Sequence, residues 1–259
     1  MFYRDKALFQ CEMPGDAFEL LRADASNEIS FAAAIVDWYP NNLADSLLRE
    51  RSLNSLRIKP NLEKLVLIGH SRGGKVAFGL ATEFCKTSLP YSAIVGLEPV
   101  DGAFENTSLK PQVLPYQPNS LNLKYPTMII GAALSPIALL PLMPPCGPRG
   151  VNHEVFFENS SPAAVHFVVE DYGHMDFLDD SVWTTSTIVC TSGRTRGPMR
   201  RFSGGIAIGF LEAVLFNNTM AFDYYLENPH QAPTVTLSTA YDKGWSDRPA
   251  STKAFASSA

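Results

Sequence analysis

The sequence contains no apolar run of about 20 residues, the length that a transmembrane helix needs. Its most apolar stretches, residues 129–145 and 206–216, are broken by prolines or are too short. The first residues have neither the basic start and apolar core of a signal peptide nor the acid-poor composition of a transit peptide. We therefore expect no transmembrane segment and no visible targeting signal, while peripheral contact with a membrane stays open.

Basic residues are also few. The chain has 21 Lys and Arg against 26 Asp and Glu, which gives a formal net charge of -5. No stripe of basic residues is present that could neutralise a run of phosphates. The sequence therefore predicts that nucleic acid is not a partner.

The cysteines form no Cys-x-x-Cys pair, which excludes a zinc ribbon and a thioredoxin-type redox pair. Buried thiols are the simplest expectation, and a bridge between Cys146 and Cys190 is left open because spacing cannot show that two Cβ atoms meet. The acidic group Asp176, Asp179 and Asp180 is interpreted as a solvated loop and not as a cation site. No metal is predicted.

What the chain does have is enough apolar residues, 46% of the total, to fill one large core. Four short apolar segments predict strands: 64–69, 92–97, 127–131 and 164–169. Helical patterns cover residues 26–57, 75–86 and 204–222. This alternation predicts an α/β fold with a mostly parallel central sheet and helices on both faces, in one domain over residues 1–227. Residues 228–259 are polar and rich in Pro, Ser and Thr, and we expect a loosely ordered tail.

The segment Gly69-His70-Ser71-Arg72-Gly73 fits the pattern G-x-S-x-G between a predicted strand and a predicted helix. In this pattern a serine nucleophile stands on a strained turn above the sheet, and glycines allow the strand and helix to approach closely. We expect crowding at Gly69 and Gly73. The backbone N–H of Arg72, at the start of the helix, is the predicted donor to an oxyanion.

A serine nucleophile needs an imidazole base and a carboxylate that orients the imidazole. Of five histidines, His174 follows the last predicted strand, in the chain order of serine, acid and histidine. His70, next to the serine, is expected to point away from it. Two acids are available on one loop, Glu98 directly after a strand and Asp101 three residues later. The residues alone leave the choice between them open.

Four motifs occurring in order resemble the chlorophyllase family, an α/β-hydrolase family that removes phytol from chlorophyll. They are GHSRGGKVAFGLA, GLEPVDG, PPCGPRGVNHEVFF with HFVVEDYGHMDFLDD, and PMRRFSGGIAIGFLEA. The resemblance implies that Ser71 is the nucleophile, His174 the base and Asp101 the acid. Glu98, where the family usually has aspartate, is the alternate acid.

The resemblance also implies several strands and a His-Gly loop ahead of residue 24, and that loop would supply a second oxyanion donor. No His-Gly pair precedes His70. We therefore expect the front strands of the fold to be missing and Arg72 to be the remaining donor.

The implied substrate is a chlorophyll-type ester, cleaved without a cofactor or metal, and the implied location is the chloroplast. Apolar residues after the third strand are predicted to form a wall or lid for a phytyl chain: Leu134, Ile137, Leu139, Leu140, Leu142 and Met143. Two other functions stay open. One is a generic carboxylesterase or lipase on the same fold, and the other is a catalytically silent remnant that binds a pigment or lipid.

Overall fold

The computed structural model describes residues 24–49, 59–180 and 189–247. Its strands are β1 (Leu65–His70), β2 (Tyr91–Leu97), β3 (Thr127–Ala132), β4 (Ala164–Val169) and β5 (Leu237–Lys243). Its α-helices are α1 (Ser26–Arg49), α2 (Arg72–Ala81), α3 (His153–Asn159), α4 (Gly197–Phe216) and α5 (Met220–Glu227). A short 3-10 helix spans Pro229–Gln231.

The strands form one sheet in the order β1-β2-β3-β4-β5. Strands β1 to β4 run parallel, and β5 is antiparallel to β4. Every residue of β3 is buried, as expected for an apolar strand covered on both faces. The predicted α/β class with a mostly parallel sheet is therefore confirmed. Because parallel strands end at one edge of a sheet, the residues that follow β1, β2, β3 and β4 are brought together.

Each face of the sheet carries its own apolar core. Alternating side chains of β2 show this: Ile94 belongs to the core beneath α1, α2 and α3, whereas Val95 belongs to the core beneath α4 and α5. The first core is centred on Phe78 and Phe156, whose rings lie 4.9 Å apart edge to face. Helices on both faces of the sheet, as predicted, shield it from water.

The tail is more ordered than its composition predicts. Residues of β5 pair along β4, with Ala240 opposite Phe167, so the ordered part of the chain continues past residue 227. Trp245 is fully buried, with its ring 5.3 Å from Phe210 and 4.9 Å from Phe222. The tail is polar on average, yet it contains the strand β5 and the buried Trp245. A strand with one face in water needs few apolar residues, so composition alone does not reveal it.

The described sheet has β1 as its outer strand, where Ile68 is 52% exposed. The expectation that the strands ahead of β1 are missing stays a prediction. Helix α1 runs from Ser26 to Arg49 with Pro40 inside it. The end of the helical region predicted from sequence, residues 50–57, lies outside the described residues. Of the helices in the described ranges, none combines the length and apolar character needed to cross a bilayer.

Candidate active site

The turn between β1 and α2 holds Ser71 with φ 56 and ψ -127, a backbone conformation that side chains rarely adopt. A Cβ atom on Gly69 would overlap the backbone of Gly73, so this glycine is required as predicted. Gly73 itself has open space beside it, and the expectation of crowding there is wrong. The second required glycine is Gly74, where a Cβ would lie 2.6 Å from the Pro99 Cβ. The helix is pressed against the loop after β2, and a sequence pattern confined to the turn does not include that contact.

Ser71 and His174 meet above the sheet. The Ser71 Oγ and the His174 Nε2 are 2.7 Å apart, a hydrogen-bond distance. His174 is 4% exposed, and burial lowers its pKa well below the usual range, helped by the nearby His70 and His153. The ring is therefore neutral, and its Nε2 is free to accept the hydroxyl proton. Its other nitrogen, Nδ1, is buried and has no hydrogen-bond partner among the described residues.

Asp101 is engaged elsewhere. One carboxylate oxygen lies 2.7 Å from the Nζ of Lys75 on α2, and both side chains are fully buried. The other oxygen accepts a hydrogen bond from the Tyr116 hydroxyl. Lys75 also donates to the backbone carbonyl of Leu109. Within the described residues Asp101 makes no hydrogen bond with His174, and its contacts connect the 98–116 loop to helix α2.

Glu98 follows β2 directly, with a positive φ of 46, and is fully buried. Its Oε2 accepts the backbone N–H of Ala132 at 2.5 Å. Its Oε1 has no hydrogen-bond partner among the described residues and lies 3.9 Å from the Nε2 of His153. Burial raises the pKa of this carboxyl to about 8. Glu98 thus has one oxygen available to a further donor, and it lies at the carboxyl end of β2.

The His70 side chain contacts His174, a contact that the sequence did not predict, while the expectation that it points away from Ser71 stays a prediction. Its Nε2 lies 2.8 Å from the backbone oxygen of His174 and must carry the proton, because a carbonyl can only accept. The two rings are 5.0 Å apart, and the Phe177 ring also packs against His70, with the centroids 5.6 Å apart. Burial lowers the pKa of His70, so its ring is neutral. Nothing in the G-x-S-x-G pattern identifies this contact, because His174 is distant in sequence.

Asp176 is not on a solvated loop, in contrast to the expectation. It is fully buried, and its Oδ2 accepts the N–H groups of Gly173 at 2.8 Å and Gly193 at 2.7 Å. Its Oδ1 lies 3.4 Å from the Arg196 Nε. Because Gly173 precedes His174, these bonds fix the backbone that carries His174.

The apolar segment after β3 is held at two points. Cys146 and Cys190 form a disulfide with Cα atoms 5.7 Å apart, so the bridge that the sequence left open is present and these two cysteines are not buried thiols. The Thr191 hydroxyl donates to the Ile137 carbonyl at 2.8 Å. Leu142 is fully exposed and three neighbours are 38% to 51% exposed: Ile137, Leu139 and Leu140. Leu134 and Met143 are half-buried.

A family model described as Chlorophyllase matches residues 15–243. The chain belongs to the chlorophyllase family. The sheet, the helices on both faces and the strand–serine–helix turn fit the α/β-hydrolase fold of chlorophyllases. As a chlorophyllase-family member, the chain is an α/β protein whose Gly-x-Ser-x-Gly turn lies between β1 and α2.

Named chlorophyllases are similar to this chain over most of its length. Chlorophyllase-2 of Arabidopsis thaliana is 41% identical over 205 residues, which cover 76% of this chain and 62% of the relative. Chlorophyllase-1, chloroplastic, of Citrus sinensis is 35% identical over 226 residues, 84% of this chain and 63% of the relative. Chlorophyllase-1 of Arabidopsis thaliana is 34% identical over 223 residues, 83% of this chain and 66% of the relative. The chain therefore spans a little less than two thirds of the length of these relatives.

Proposed function

We propose that this chain hydrolyses the phytyl ester of chlorophyll to chlorophyllide and phytol, with Ser71 as nucleophile and His174 as base. The observation that carries the proposal is the 2.7 Å contact between the Ser71 Oγ and the His174 Nε2 at a strained strand-to-helix turn. A serine hydroxyl is a weak nucleophile without a base at this distance. Membership of the chlorophyllase family supports the choice of ester.

In the first half of the reaction the Ser71 Oγ attacks the ester carbonyl carbon and its proton passes to the His174 Nε2. The negative charge that develops on the carbonyl oxygen is met by the N–H of Arg72 and by the positive end of α2. The C–O bond to the alcohol then breaks, and His174 gives its proton to the departing phytol oxygen. In the second half His174 takes a proton from water, the hydroxide releases chlorophyllide from the serine, and the proton returns to Ser71.

The charged form of His174 requires a carboxylate at its Nδ1. Glu98 is supported better than Asp101 as this acid. The Glu98 Oε1 and the His174 Nδ1 are both buried without a hydrogen-bond partner among the described residues, at the ends of strands that flank β3. Both oxygens of Asp101 are already engaged, by Lys75 and Tyr116. We keep Asp101 as the alternative because the family resemblance favours it.

The exposed apolar segment 134–143 is proposed to receive the phytyl chain and to touch the membrane that holds an ester of this kind. Leu142 is fully exposed, and the Cys146–Cys190 bridge anchors the segment beside the site. Apolar side chains of this exposure bind lipid tails well. A chloroplast location is proposed because two citrus relatives are named chloroplastic.

The test is release of chlorophyllide from chlorophyll by the purified chain, beside Ser71→Ala and beside Ser88→Ala, which removes an exposed loop hydroxyl. We expect release by the parent and by Ser88→Ala, and a loss of about 10⁶-fold in Ser71→Ala. Turnover of a short p-nitrophenyl ester alone would indicate a generic esterase. A folded chain that hydrolyses neither ester and does not react with a fluorophosphonate would be a silent pigment-binding or lipid-binding remnant.

A further inference from the structure

Two buried histidines lie behind Glu98 and take no part in the proposed reaction. His153 is the first residue of α3, whose N-terminus is capped by the Asn152 side chain. Its Nε2 lies 3.9 Å from the Glu98 Oε1, and its Nδ1 lies 2.8 Å from the Nε2 of His166 on β4. His153 and His166 are 2% and 3% exposed, so a row of three buried polar side chains ends at the spare oxygen of Glu98.

The position of the proton on each of the two histidines follows from their burial and from the distance between their rings. Burial lowers the pKa of His153 to about 3 and that of His166 well below the usual range, so both rings are neutral and each carries one N–H. At 2.8 Å one ring nitrogen must donate and the other must accept. When Glu98 is ionised, as the reaction requires, a proton on the His153 Nδ1 would leave an unprotonated Nε2 with its lone pair directed at the carboxylate, and the two acceptors would repel. The favourable arrangement has His166 donating to His153, and His153 directing its Nε2–H at Glu98.

The surrounding glycines leave room for this row. A Cβ on Gly131 of β3 would overlap the His153 ring. A Cβ on Gly147 would lie 2.9 Å from the Glu98 Oε1 and would also overlap the Ser135 hydroxyl. Neither glycine has a positive φ, so neither is needed for its backbone conformation. Their common feature is the space that they leave to His153 and Glu98.

We propose that His153 is a positioning residue, whose Nε2–H stabilises Glu98 as a carboxylate ready to orient His174, and that His166 fixes the tautomer of His153. This inference rests on the proposed function and on Glu98 as the acid. It gives the Asn152-His153 motif a role in the reaction that does not require contact with the substrate.

The surroundings of Glu98 disfavour its ionised form, so a nearby N–H donor would stabilise the carboxylate. Burial raises the Glu98 pKa to about 8, and the negative charge of Glu154 on α3 raises it further. The N–H of Ala132 and the Ser135 hydroxyl act in the opposite direction. Lys243 of β5 acts on His166 and disfavours a charged ring there. A neutral imidazole donor therefore stabilises the carboxylate without adding a buried positive charge.

The first test compares His153→Leu, which removes the donor, with His153→Gln, whose side-chain amide keeps an N–H near the same place. His230→Leu, an exposed histidine in the tail, is the matched control. In His153→Leu we expect kcat to fall about 10-fold to 100-fold with KM little changed, and the rise of activity with pH to move upward by on the order of one unit. His153→Gln is expected to restore much of both. An unchanged pH profile in folded, active His153→Leu would overturn the proposal, because a purely structural role predicts lower activity without a shift.

The second test does not depend on turnover or on a leucine variant that folds. Imidazole ¹⁵N spectra of the parent chain are expected to show His153 with a protonated Nε2 and an unprotonated Nδ1, and Glu98→Gln is expected to move the His153 signals. A protonated His153 Nδ1, or His153 chemical shifts that do not change in Glu98→Gln, would contradict the inference. If the parent hydrolyses no ester, the proposed function fails, while these spectra still decide whether His153 donates to Glu98.

Discussion

Glu98 and Asp101 are three residues apart on one loop and both are fully buried, yet they lie in opposite environments. Asp101 has a cation and a hydroxyl on its two oxygens, from Lys75 and Tyr116. Glu98 accepts one backbone N–H and has the Ser135 hydroxyl and a neutral imidazole nearby, while its Oε1 makes no hydrogen bond among the described residues. The left-handed turn at Glu98, with φ 46, separates the two side chains. A buried carboxylate whose oxygens are both hydrogen-bonded or ion-paired stabilises a loop, whereas one with an oxygen lacking a hydrogen bond is available for chemistry.

The largest expected effect is on turnover. Glu98→Gln is expected to reduce kcat by about 10⁴-fold, because an amide cannot stabilise the charged imidazole, whereas folded Asp101→Asn is expected to stay within about 10-fold of the parent. Ester hydrolysis by both variants under identical conditions is the measurement. The reverse ranking would make Asp101 the acid, as the family resemblance implies, and would require the Lys75 contact to break.

Stability is expected to rank the two acids in the opposite order. Asp101→Asn leaves Lys75 buried without its counter-charge, and the free energy of unfolding is expected to fall by about 3 kcal/mol. Glu98→Gln replaces a carboxyl whose pKa burial already raises, and is expected to cost much less. Urea unfolding of both variants measures the difference. Lys75→Met combined with Asp101→Leu is the control, and it should recover most of the loss because no lone charge is left buried.

The pH dependence of stability gives a third comparison. The folded chain binds the Glu98 proton more tightly than the unfolded chain, since burial raises this pKa from 4.5 to about 8. As the pH rises from 4.5 to about 8, the free energy of unfolding should therefore fall by roughly 1 kcal/mol per pH unit, and the contribution is fully present only below pH 4.5. Subtracting the Glu98→Gln curve from that of the parent isolates this contribution. A difference that is flat over this range would mean that Glu98 is ionised in the folded chain throughout it.

The smallest expected effect concerns the hydrogen bond between His70 and the backbone carbonyl of His174. His70→Phe keeps the ring beside His174 but removes the N–H donated to its carbonyl. We expect kcat to fall roughly 10-fold, because a small displacement of the base matters, with little change in KM. Steady-state kinetics measure this, and His70→Asn, which keeps a donor without the ring, separates the hydrogen bond from the stacking. A loss in His70→Phe as large as that in Glu98→Gln would mean that His70 does more than position the base.

Much of the fold and part of the site could be predicted from the sequence, because those features are encoded locally. The apolar segments predict strands β1 to β4, and the glycine pattern around Ser71 identifies the strained turn. The contact of His174 with Ser71 was predictable from its place after the last parallel strand. The β5 strand was missed because its polar side chains do not separate it from a loop.

The rest depended on which distant residues meet. The sequence by itself determined a parallel α/β sheet, a strained serine turn and a histidine at the same sheet edge, since periodicity and glycine spacing act over a few residues. The packing of distant elements places Lys75 against Asp101, leaves the Glu98 Oε1 without a hydrogen bond among the described residues, and lets His70 and Asp176 hold the His174 backbone. The physical reason is that burial and ion pairing depend on every element packed around a group, and those elements come from parts of the chain that are far apart in sequence.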